Sequence, residues 1–192
     1  MEVPILYIIA GPNGAGKTTA SMNILPEILN CRIFVNADEI AKGLNPLDPS
    51  SVNIEAGKVM LERINQLVER KDTFAIETTL ATKSYVNLIK RAISAGYKVV
   101  LLYFWLQSPH YAKERVKMRV NEGGHDIPEE VIERRYWNGL ANFFELFAPI
   151  VDWWALYDNN GDTELIADKE LIQDKFKLEN IKESCQSKKK LS

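Results

Sequence analysis

The sequence predicts an α/β fold in three layers, with a five-stranded and mostly parallel sheet between helices. Two observations carry this prediction. Several segments are apolar throughout, as in strands buried on both faces, and helix-length segments separate them. The expected strands are ILYIIA (5–10), RIFVNA (32–37), TFAIET (73–78), KVVLLYFWL (98–106) and DWWALYDN (152–159). The expected helices cover residues 16–29, 50–70, 82–95, 109–121 and 128–147.

Local signals justify these helices in chain order. The first follows a glycine-rich turn, and the second has apolar residues from Ile54 to Val68 at a nearly helical period. The third starts at a Thr82 or Ser84 cap and stops before Gly96. The last two flank the segment EGGHDIP, and beyond them NNGDTELIADKEL suggests a short strand and then a helix to about Glu183.

Composition bounds the domain number and the partners. Residues 1–185 are expected to form one domain, and residues 186–192 a disordered tail. A net charge of −2 gives no overall field that would attract nucleic acid or a membrane surface, and every apolar run is too short to cross a bilayer. Cys31 and Cys185 are read as free thiols, and the first residues lack a signal-peptide pattern, so a cytoplasmic protein is expected.

A glycine-rich segment follows the first strand. Residues 11–18, GPNGAGKT, fit the pattern G-x-x-x-x-G-K-[ST] at every fixed position. Glycines let the backbone fold around an anion, and the N-terminus of the following helix adds free N–H donors. The segment therefore predicts a P-loop that binds a nucleoside triphosphate with Mg²⁺, the metal being held by Thr18. ATP is the expected nucleotide, with GTP as the alternative, because the guanine-reading motif N-K-x-D of GTPases is absent from the sequence. The expected nucleotide-binding residues here are Gly11, Asn13, Gly14, Ala15, Gly16, Lys17, Thr18 and Thr19.

The end of the second strand, FVNADEIA, supplies the first acidic candidate. Ligands of open α/β sheets gather beyond the carboxyl ends of the strands, which places Asn36 and Asp38 beside the P-loop. The Asp38 carboxylate could accept the proton of a substrate hydroxyl that attacks the γ-phosphate. It could equally cap a helix that starts at Glu39. The sequence leaves both alternatives open.

The end of the third strand, FAIETTL, supplies the second acidic candidate. A charged residue at the end of a buried strand is costly without a partner, and either a water on Mg²⁺ or a substrate hydroxyl would provide one for Glu77. Glu77 and Thr78 are therefore predicted to lie on the substrate side of the site. The alternative is that Thr78 or Thr79 caps a helix and Glu77 is merely exposed.

Two arginine-bearing helices on either side of a Gly-Gly pair predict a lid over about residues 109–136. Arg115 and Arg119 are four residues apart and share a helix face, and Arg134 and Arg135 follow on the next helix. Arginines carried by a closing lid can neutralise charge on a transferring phosphoryl group. At least one of the four is expected to do so, while any single one also fits a surface salt bridge. His125 lies in the hinge.

Taken together, AGPNGAGKTT, VNADEIA, IETTL, RVKMRVNEGGHDIPEEVIERRY and LYDN resemble the zeta toxin family of P-loop kinases. The resemblance extends over about residues 5–160. It implies a nucleotide- or shikimate-kinase-like fold with a helical lid. It also implies ATP- or GTP-dependent phosphorylation of a small-molecule hydroxyl. In the toxins of this family the acceptor is UDP-N-acetylglucosamine, and a bound antitoxin protein blocks the nucleotide site.

Carried over residue by residue, the resemblance implies roles for particular side chains. Lys17 matches the P-loop lysine, Asp38 the base and Glu77 the substrate-side glutamate. The phosphate-binding arginines fall at Arg119 and Arg134, although Arg115 or Arg135 could take either part. In addition, Asn159 lies where the last strand of the family approaches the nucleotide base.

One departure and two alternatives accompany this assignment. The toxins usually carry an arginine three residues after the base, where this chain has Ala41; either Lys42 and Lys58 compensate for it or the substrate pocket differs. One alternative is another P-loop kinase that acts on a sugar, an antibiotic or a polynucleotide 5′-hydroxyl, and the last needs a basic track that is absent from the sequence. The other is a nucleotide-binding regulator without turnover.

Overall fold

The computed structural model describes residues 3–124 and 126–190, and it contains a single sheet of six strands in the order β2-β3-β1-β4-β5-β6. The first five strands run parallel and β6 pairs antiparallel with β5. The strands are β1 (Ile5–Ala10), β2 (Phe34–Val35), β3 (Phe74–Thr78), β4 (Lys98–Trp105), β5 (Trp153–Asp158) and β6 (Glu164–Asp168). The α/β prediction is confirmed.

The predicted number of five strands is wrong by one. The sixth strand, β6, has a short apolar centre of Leu165, Ile166 and Ala167 between charged residues, and the strand pattern there is correspondingly weak. Its place is fixed by pairing with β5 across a short connection, which the periodicity of the segment alone does not reveal. The predicted mostly parallel character holds, because β6 is the one antiparallel strand of the described sheet.

Helices separate the parallel strands as predicted, with shifted ends. They are α1 (Lys17–Glu27), α2 (Ala37–Leu44), α3 (Asn53–Arg70), α4 (Tyr85–Ser94), α5 (Pro109–Asn121), α6 (Glu129–Asn142) and α7 (Lys175–Lys190). A 3₁₀ turn (Pro49–Val52) precedes α3, and a π-helical turn (Phe143–Phe147) follows α6. The expected end at Glu183 and the disordered tail from residue 186 differ from this picture, since α7 continues to Lys190.

The register of the central strands positions the site. Ile9 lies opposite Glu77 across the β1–β3 pair, and Ala10 lies opposite both Thr78 of β3 and Tyr103 of β4. The glycine-rich segment leaves β1 directly after Ala10, so it emerges beside Glu77. Packing disfavours another register: β1 and β4 are buried along nearly their whole length, so a slip of one residue would move each side chain into a space shaped for a different one.

Gly139 in α6 controls how closely this helix approaches the end of β3. A Cβ at this position would lie 2.2 Å from the carbonyl oxygen of Thr79, a backbone atom that cannot move cheaply. We expect Gly139→Ala to lower the free energy of unfolding by about 1–3 kcal/mol. Urea unfolding measures this change.

Gly57→Ala in α3 is the matched control for that substitution. A Cβ at Gly57 would have no heavy atom within 4 Å among those considered. Alanine in an open helix interior should raise the free energy of unfolding by about 0.5–1 kcal/mol. Two variants that change stability in the same direction would contradict the proposed close contact at Gly139.

Candidate active site

The glycine-rich turn between β1 and α1 has the backbone of a phosphate cradle. Gly11 has φ of 142°, and a Cβ there would lie 2.3 Å from the carbonyl oxygen of Phe104. Gly14 and Gly16 have φ of 79° and 72°, in the left-handed region that favours glycine. A side chain is therefore excluded at Gly11 by a close backbone contact and disfavoured at Gly14 and Gly16 by their backbone conformation. The turn ends at the N-terminus of α1, where free N–H groups favour an anion.

Lys17 is buried at the base of this cradle, with 6% of its surface exposed. Its Nζ donates to the carbonyl oxygen of Pro12 at 3.0 Å and lies 3.6 Å from Oε1 of Glu77. Burial lowers the pKa of Lys17, the negative charges of Glu77 and Asp38 oppose that shift, and the positive charge of Arg119 adds to it. A buried ammonium group of this kind favours an anionic ligand in the cradle.

Glu77 binds the cradle through both carboxylate oxygens. Its Oε2 accepts hydrogen bonds from the Thr18 hydroxyl at 2.7 Å and from Nδ2 of Asn36 at 2.9 Å, and Oε1 faces Lys17. The carboxylate is therefore held against the P-loop, on the nucleotide side, and not as an exposed residue beside a helix cap. Burial of an anion here is offset by two donors and one cation.

Asn36, and not Asp38, caps α2. The Oδ1 of Asn36 accepts a hydrogen bond from the backbone N–H of Asp38 at 2.8 Å, and the helix begins at Ala37. The capping alternative for Asp38 is therefore wrong. The Asp38 side chain is exposed and contributes to the wall of the cleft in front of the P-loop. Asp38 is thus available for chemistry at this position.

A cleft of about 460 Å³ joins these groups, a volume in the range of small-ligand sites. Its walls come from the P-loop and α1, the start of α2, the end of β3 and one side of α5. The lining residues are Asn13, Gly14, Gly16, Lys17, Thr18, Thr19, Asn36, Asp38, Glu39, Lys42, Glu77, Arg115, Met118, Arg119, Glu122 and Gly124. Anionic and cationic side chains therefore face one another across one space.

The helix α5 presents two arginines to the cleft. Arg115 and Arg119, one turn apart, both line it. The glycine pair after α5 forms a helix C-cap: Gly123 has φ of 87° and bonds the carbonyl of Val120, and the N–H of Gly124 donates to Arg119 O at 2.8 Å. The predicted hinge is thus a compact cap that fixes the last turn of α5 and with it Arg119. His125 lies outside the described residues.

Comparison with known proteins decides the family. The family model described as zeta toxin matches residues 1–170. The chain belongs to the zeta toxin family. The P-loop cleft and this membership together identify a P-loop kinase with a nucleotide site.

This zeta toxin family member is similar to one curated protein in sequence and to several solved structures in fold. An uncharacterised protein of Haemophilus influenzae is 30% identical over 126 residues, which cover 66% of this chain and 88% of that protein. The structure from the PezAT toxin–antitoxin system of Streptococcus pneumoniae is 18% identical, with a TM-score of 0.68, over 88% of this chain and 72% of that one. The AvrRxo1-ORF1:ORF2 complex with ATP is 18% identical, with a TM-score of 0.73, over 93% of this chain and 63% of that one.

Two residues that the sequence assigned to the zeta toxin site lie elsewhere. Arg134 is exposed and does not line the cleft, because Ile132 and Tyr136 turn the opposite face of α6 inward. Thr78 does not line it either: its Oγ1 accepts a hydrogen bond from the N–H of Leu80 at 3.0 Å and supports the turn after β3. This arrangement therefore does not support the assignment of Arg134 to phosphate or of Thr78 to the substrate.

The loop after β5 contains one expected and one overlooked residue. Asn159, expected near the nucleotide base, donates from Nδ2 to the carbonyl oxygen of Ala15 in the P-loop at 2.7 Å. Its neighbour Asn160 accepts hydrogen bonds at its carbonyl oxygen from the Tyr111 hydroxyl and from Arg115, both at 2.9 Å. The turn-forming sequence DNNG was a signal for such a loop.

Within the described residues, no helix combines the length and the apolar character needed to span a membrane. The charges that line the cleft of this zeta toxin family member are mixed. The walls that face the P-loop carry Asp38, Glu39 and Glu122 beside Lys42 and the two arginines.

Proposed function

We propose that this protein transfers the γ-phosphate of ATP, with Mg²⁺, to a hydroxyl group of a small molecule. One observation carries the proposal. A single cleft brings the P-loop residues Lys17 and Thr18 together with the Asp38 carboxylate and the Arg119 guanidinium. Phosphoryl transfer depends mainly on positioning and on stabilising negative charge, and these groups supply both.

The nucleotide side of the cleft suits a triphosphate. The cradle offers backbone N–H groups at the start of α1 and a buried ammonium group at Lys17. In addition, Asn13 is 6% exposed, and its Oδ1 has no hydrogen-bond partner in the part of the chain that the structure describes. Phosphate oxygens cannot donate to this acceptor, so a water or an amino or hydroxyl group of the ligand would have to satisfy it.

The residues present also fit Mg²⁺. This metal prefers oxygen ligands, and the hydroxyl of Thr18 and the carboxylate of Glu77 lie 2.7 Å apart at the mouth of the cradle. Thr18 would hold the metal directly, and Glu77 would hold it or its water. When bound, the ion would neutralise charge on the β- and γ-phosphates. Glu77 is thereby proposed for the metal side, and not for the acceptor side that the sequence suggested.

The chemical step then follows from the walls of the cleft. Asp38 accepts the proton of the acceptor hydroxyl while the acceptor oxygen forms a bond to the γ-phosphorus. The bond between the γ-phosphorus and the oxygen that bridges it to the β-phosphate breaks, and ADP leaves with that electron pair. Lys17 and Arg119 stabilise the negative charge on the transferring group. Arg115, at the other turn of α5, stabilises the nucleotide side.

The acceptor side of the cleft is polar, which favours an acceptor with several hydrogen-bonding groups. Asn36, Glu39 and Lys42 surround Asp38, and Lys42 pairs with Glu39 at 2.6 Å. Ala41, at the position of the usual arginine of the toxins, is 1% exposed and cannot reach the cleft, whereas Lys42 does. UDP-N-acetylglucosamine, the acceptor that the family resemblance implied, is accordingly the first candidate to test.

Purified protein with γ-labelled ATP, Mg²⁺ and a panel of sugar nucleotides, nucleosides and small sugars tests this proposal. We expect label in one acceptor class. ATP with Mg²⁺ at about a hundred times its Kd should also raise the Tm by about 5–11 °C, because binding adds about 2.7 kcal/mol. Binding without transfer to any acceptor would indicate a regulator without turnover. No Tm shift at millimolar ATP would contradict the nucleotide site itself.

A protein partner and a location complete the proposal. The PezAT structure comes from a toxin–antitoxin system, which supports an antitoxin as a partner of this chain as well. Such a partner would act by covering the nucleotide cleft, as the family resemblance implied. Cys31 and Cys185 are both buried and form no disulfide in the part of the chain that the structure describes, in keeping with the proposed cytoplasmic location.

A further inference from the structure

Lys177 in α7 lies beyond the residues that match the family model, yet it reaches back to the sheet. Its Nζ donates to Oδ2 of Asp158, the last residue of β5, at 2.8 Å. The two side chains are 33% and 13% exposed, so the carboxylate is largely removed from water. An ion pair of this kind is costly to break from one side, because it leaves the other charge unpaired.

Asp158 in turn holds Asn160. While Oδ2 faces Lys177, Oδ1 accepts hydrogen bonds from the backbone N–H of Asn160 at 2.9 Å and from its Nδ2. Burial alone would raise the pKa of Asp158, but these donors hold it below its usual value. The carboxylate therefore stays ionised and is oriented by donors on both of its oxygens.

Asn160 joins this pair to the candidate active site. Its carbonyl oxygen accepts from Arg115, which lines the cleft, and its Oδ1 accepts from the N–H of Gln107 at 2.9 Å, just before α5. One residue earlier, Asn159 binds the carbonyl oxygen of Ala15 in the P-loop. The loop after β5 thus contacts both the start of α5 and the phosphate cradle.

We propose that Lys177 is a positioning residue for nucleotide binding, acting through Asp158 and Asn160 on Arg115 and on the P-loop. This role rests on the proposed function, because it needs a nucleotide in the cradle. Without the charge of Lys177, the Asp158 carboxylate loses the donor on Oδ2. The Asn160 loop then loses its fixed place, and Arg115 loses a fixed acceptor. A helix outside the matched region of the family thereby stabilises the binding geometry.

The first arm of the test is ATP affinity. We expect Lys177→Met to weaken ATP binding about tenfold, a loss in the range of a charged hydrogen bond. In an Arg115→Met background the same change should have little further effect, because the two residues act in one chain of contacts. Lys175→Met is the matched control: this lysine lies on the same helix, its side chain is 78% exposed, and it pairs with Glu179 at 3.8 Å.

The second arm needs no nucleotide. The N–H groups of Asn160 and Gln107 both depend on this network, so their hydrogen exchange should accelerate at least about tenfold in Lys177→Met, while exchange in β1 stays unchanged. If Lys177→Met fails to fold, Asp158→Asn, which removes the charge and keeps the shape, should give the same two effects. Lys177→Arg, which keeps the positive charge, should retain both the ATP affinity and the slow hydrogen exchange of the wild type.

The outcomes separate the two proposals. Unchanged exchange at Asn160 and Gln107 would overturn the link through Asp158. Faster exchange with unchanged ATP affinity, beside a wild-type protein that binds ATP, would overturn the positioning role alone. If Lys177→Met weakened ATP binding equally in the wild-type and Arg115→Met backgrounds, Lys177 would act by general stabilisation and not through Arg115. A wild-type protein that fails to bind ATP would overturn the proposed function and, with it, the nucleotide-positioning role, whereas the exchange rates would still decide the loop contact.

Discussion

Lys17→Ala is expected to reduce ATP-dependent phosphate transfer by at least about 10²- to 10³-fold, because the ammonium group stabilises charge on the transferring phosphoryl group. The structure gives this expectation a geometric basis. Lys17 is buried in the cradle, within 3.6 Å of the Glu77 carboxylate, and burial lowers its pKa. A phosphate group in the cradle would supply a further partner for the buried charge. Transfer of label from γ-labelled ATP measures the effect.

Two controls separate this role from folding. Lys17→Met keeps most of the side-chain volume, and Glu77 retains its donors Thr18 and Asn36, so the protein should fold and its Tm without nucleotide reports this. Lys90→Ala on α4 changes an exposed lysine far along the chain and should leave transfer unaltered. A Lys17→Met protein that folds and retains transfer within threefold of the wild type would refute the assigned role.

The fold could be predicted from the sequence to a large extent because its signals are local. Buried parallel strands are continuous apolar runs, and the P-loop pattern constrains backbone conformation within eight residues. The short strand after Asn159 was predicted but not counted in the sheet, because its place there depends on pairing with β5. The predicted last helix ended too early, at about Glu183, whereas α7 continues to Lys190. Both depend on contacts between segments, which a single-segment pattern does not contain.

Where position in a strand fixed position in space, the sequence predicted which acidic residues lie beside the P-loop. Glu77 and Asp38 follow the ends of neighbouring parallel strands, and both line the cleft. The direction of a side chain was harder to predict. Whether Asn36 or Asp38 caps α2 depends on where the helix starts, and a shift of two residues exchanged their roles. For α6 the sequence did indicate direction, since apolar residues at 132 and 136 mark its inward face and Arg134 lies on the opposite, exposed face.

The support of the site could not be predicted from local patterns. Asn159 binds the carbonyl of Ala15 across 144 positions of sequence, and Lys177 binds Asp158 across 19. Such contacts depend on how β5 and α7 are placed relative to β1. They join the cradle to the loop after β5 through Asn159, and that loop to α7 through Asp158.

Asp38→Asn is expected to separate binding from chemistry. The substitution keeps the size of the side chain but removes its capacity to accept a proton, so transfer to the acceptor should fall about 10²- to 10⁴-fold. Affinity for ATP should stay within about threefold, since the P-loop is untouched. Folding should also be preserved, because α2 is capped by Asn36 through the backbone N–H of Asp38, which the substitution retains. The lost charge at the N-terminus of α2 should cost about 0.3–1 kcal/mol at most.

The measurement pairs ATP titration with label transfer on the same preparation. Glu55→Gln, in the exposed first turn of α3, is the matched control for the loss of one carboxylate charge near a helix N-terminus and should leave both quantities unchanged. Transfer that survives within about tenfold in Asp38→Asn would contradict a base at this position. The acceptor hydroxyl would then lose its proton to the γ-phosphate itself, and Asp38 would serve only to orient the acceptor, because the cap role is already taken by Asn36.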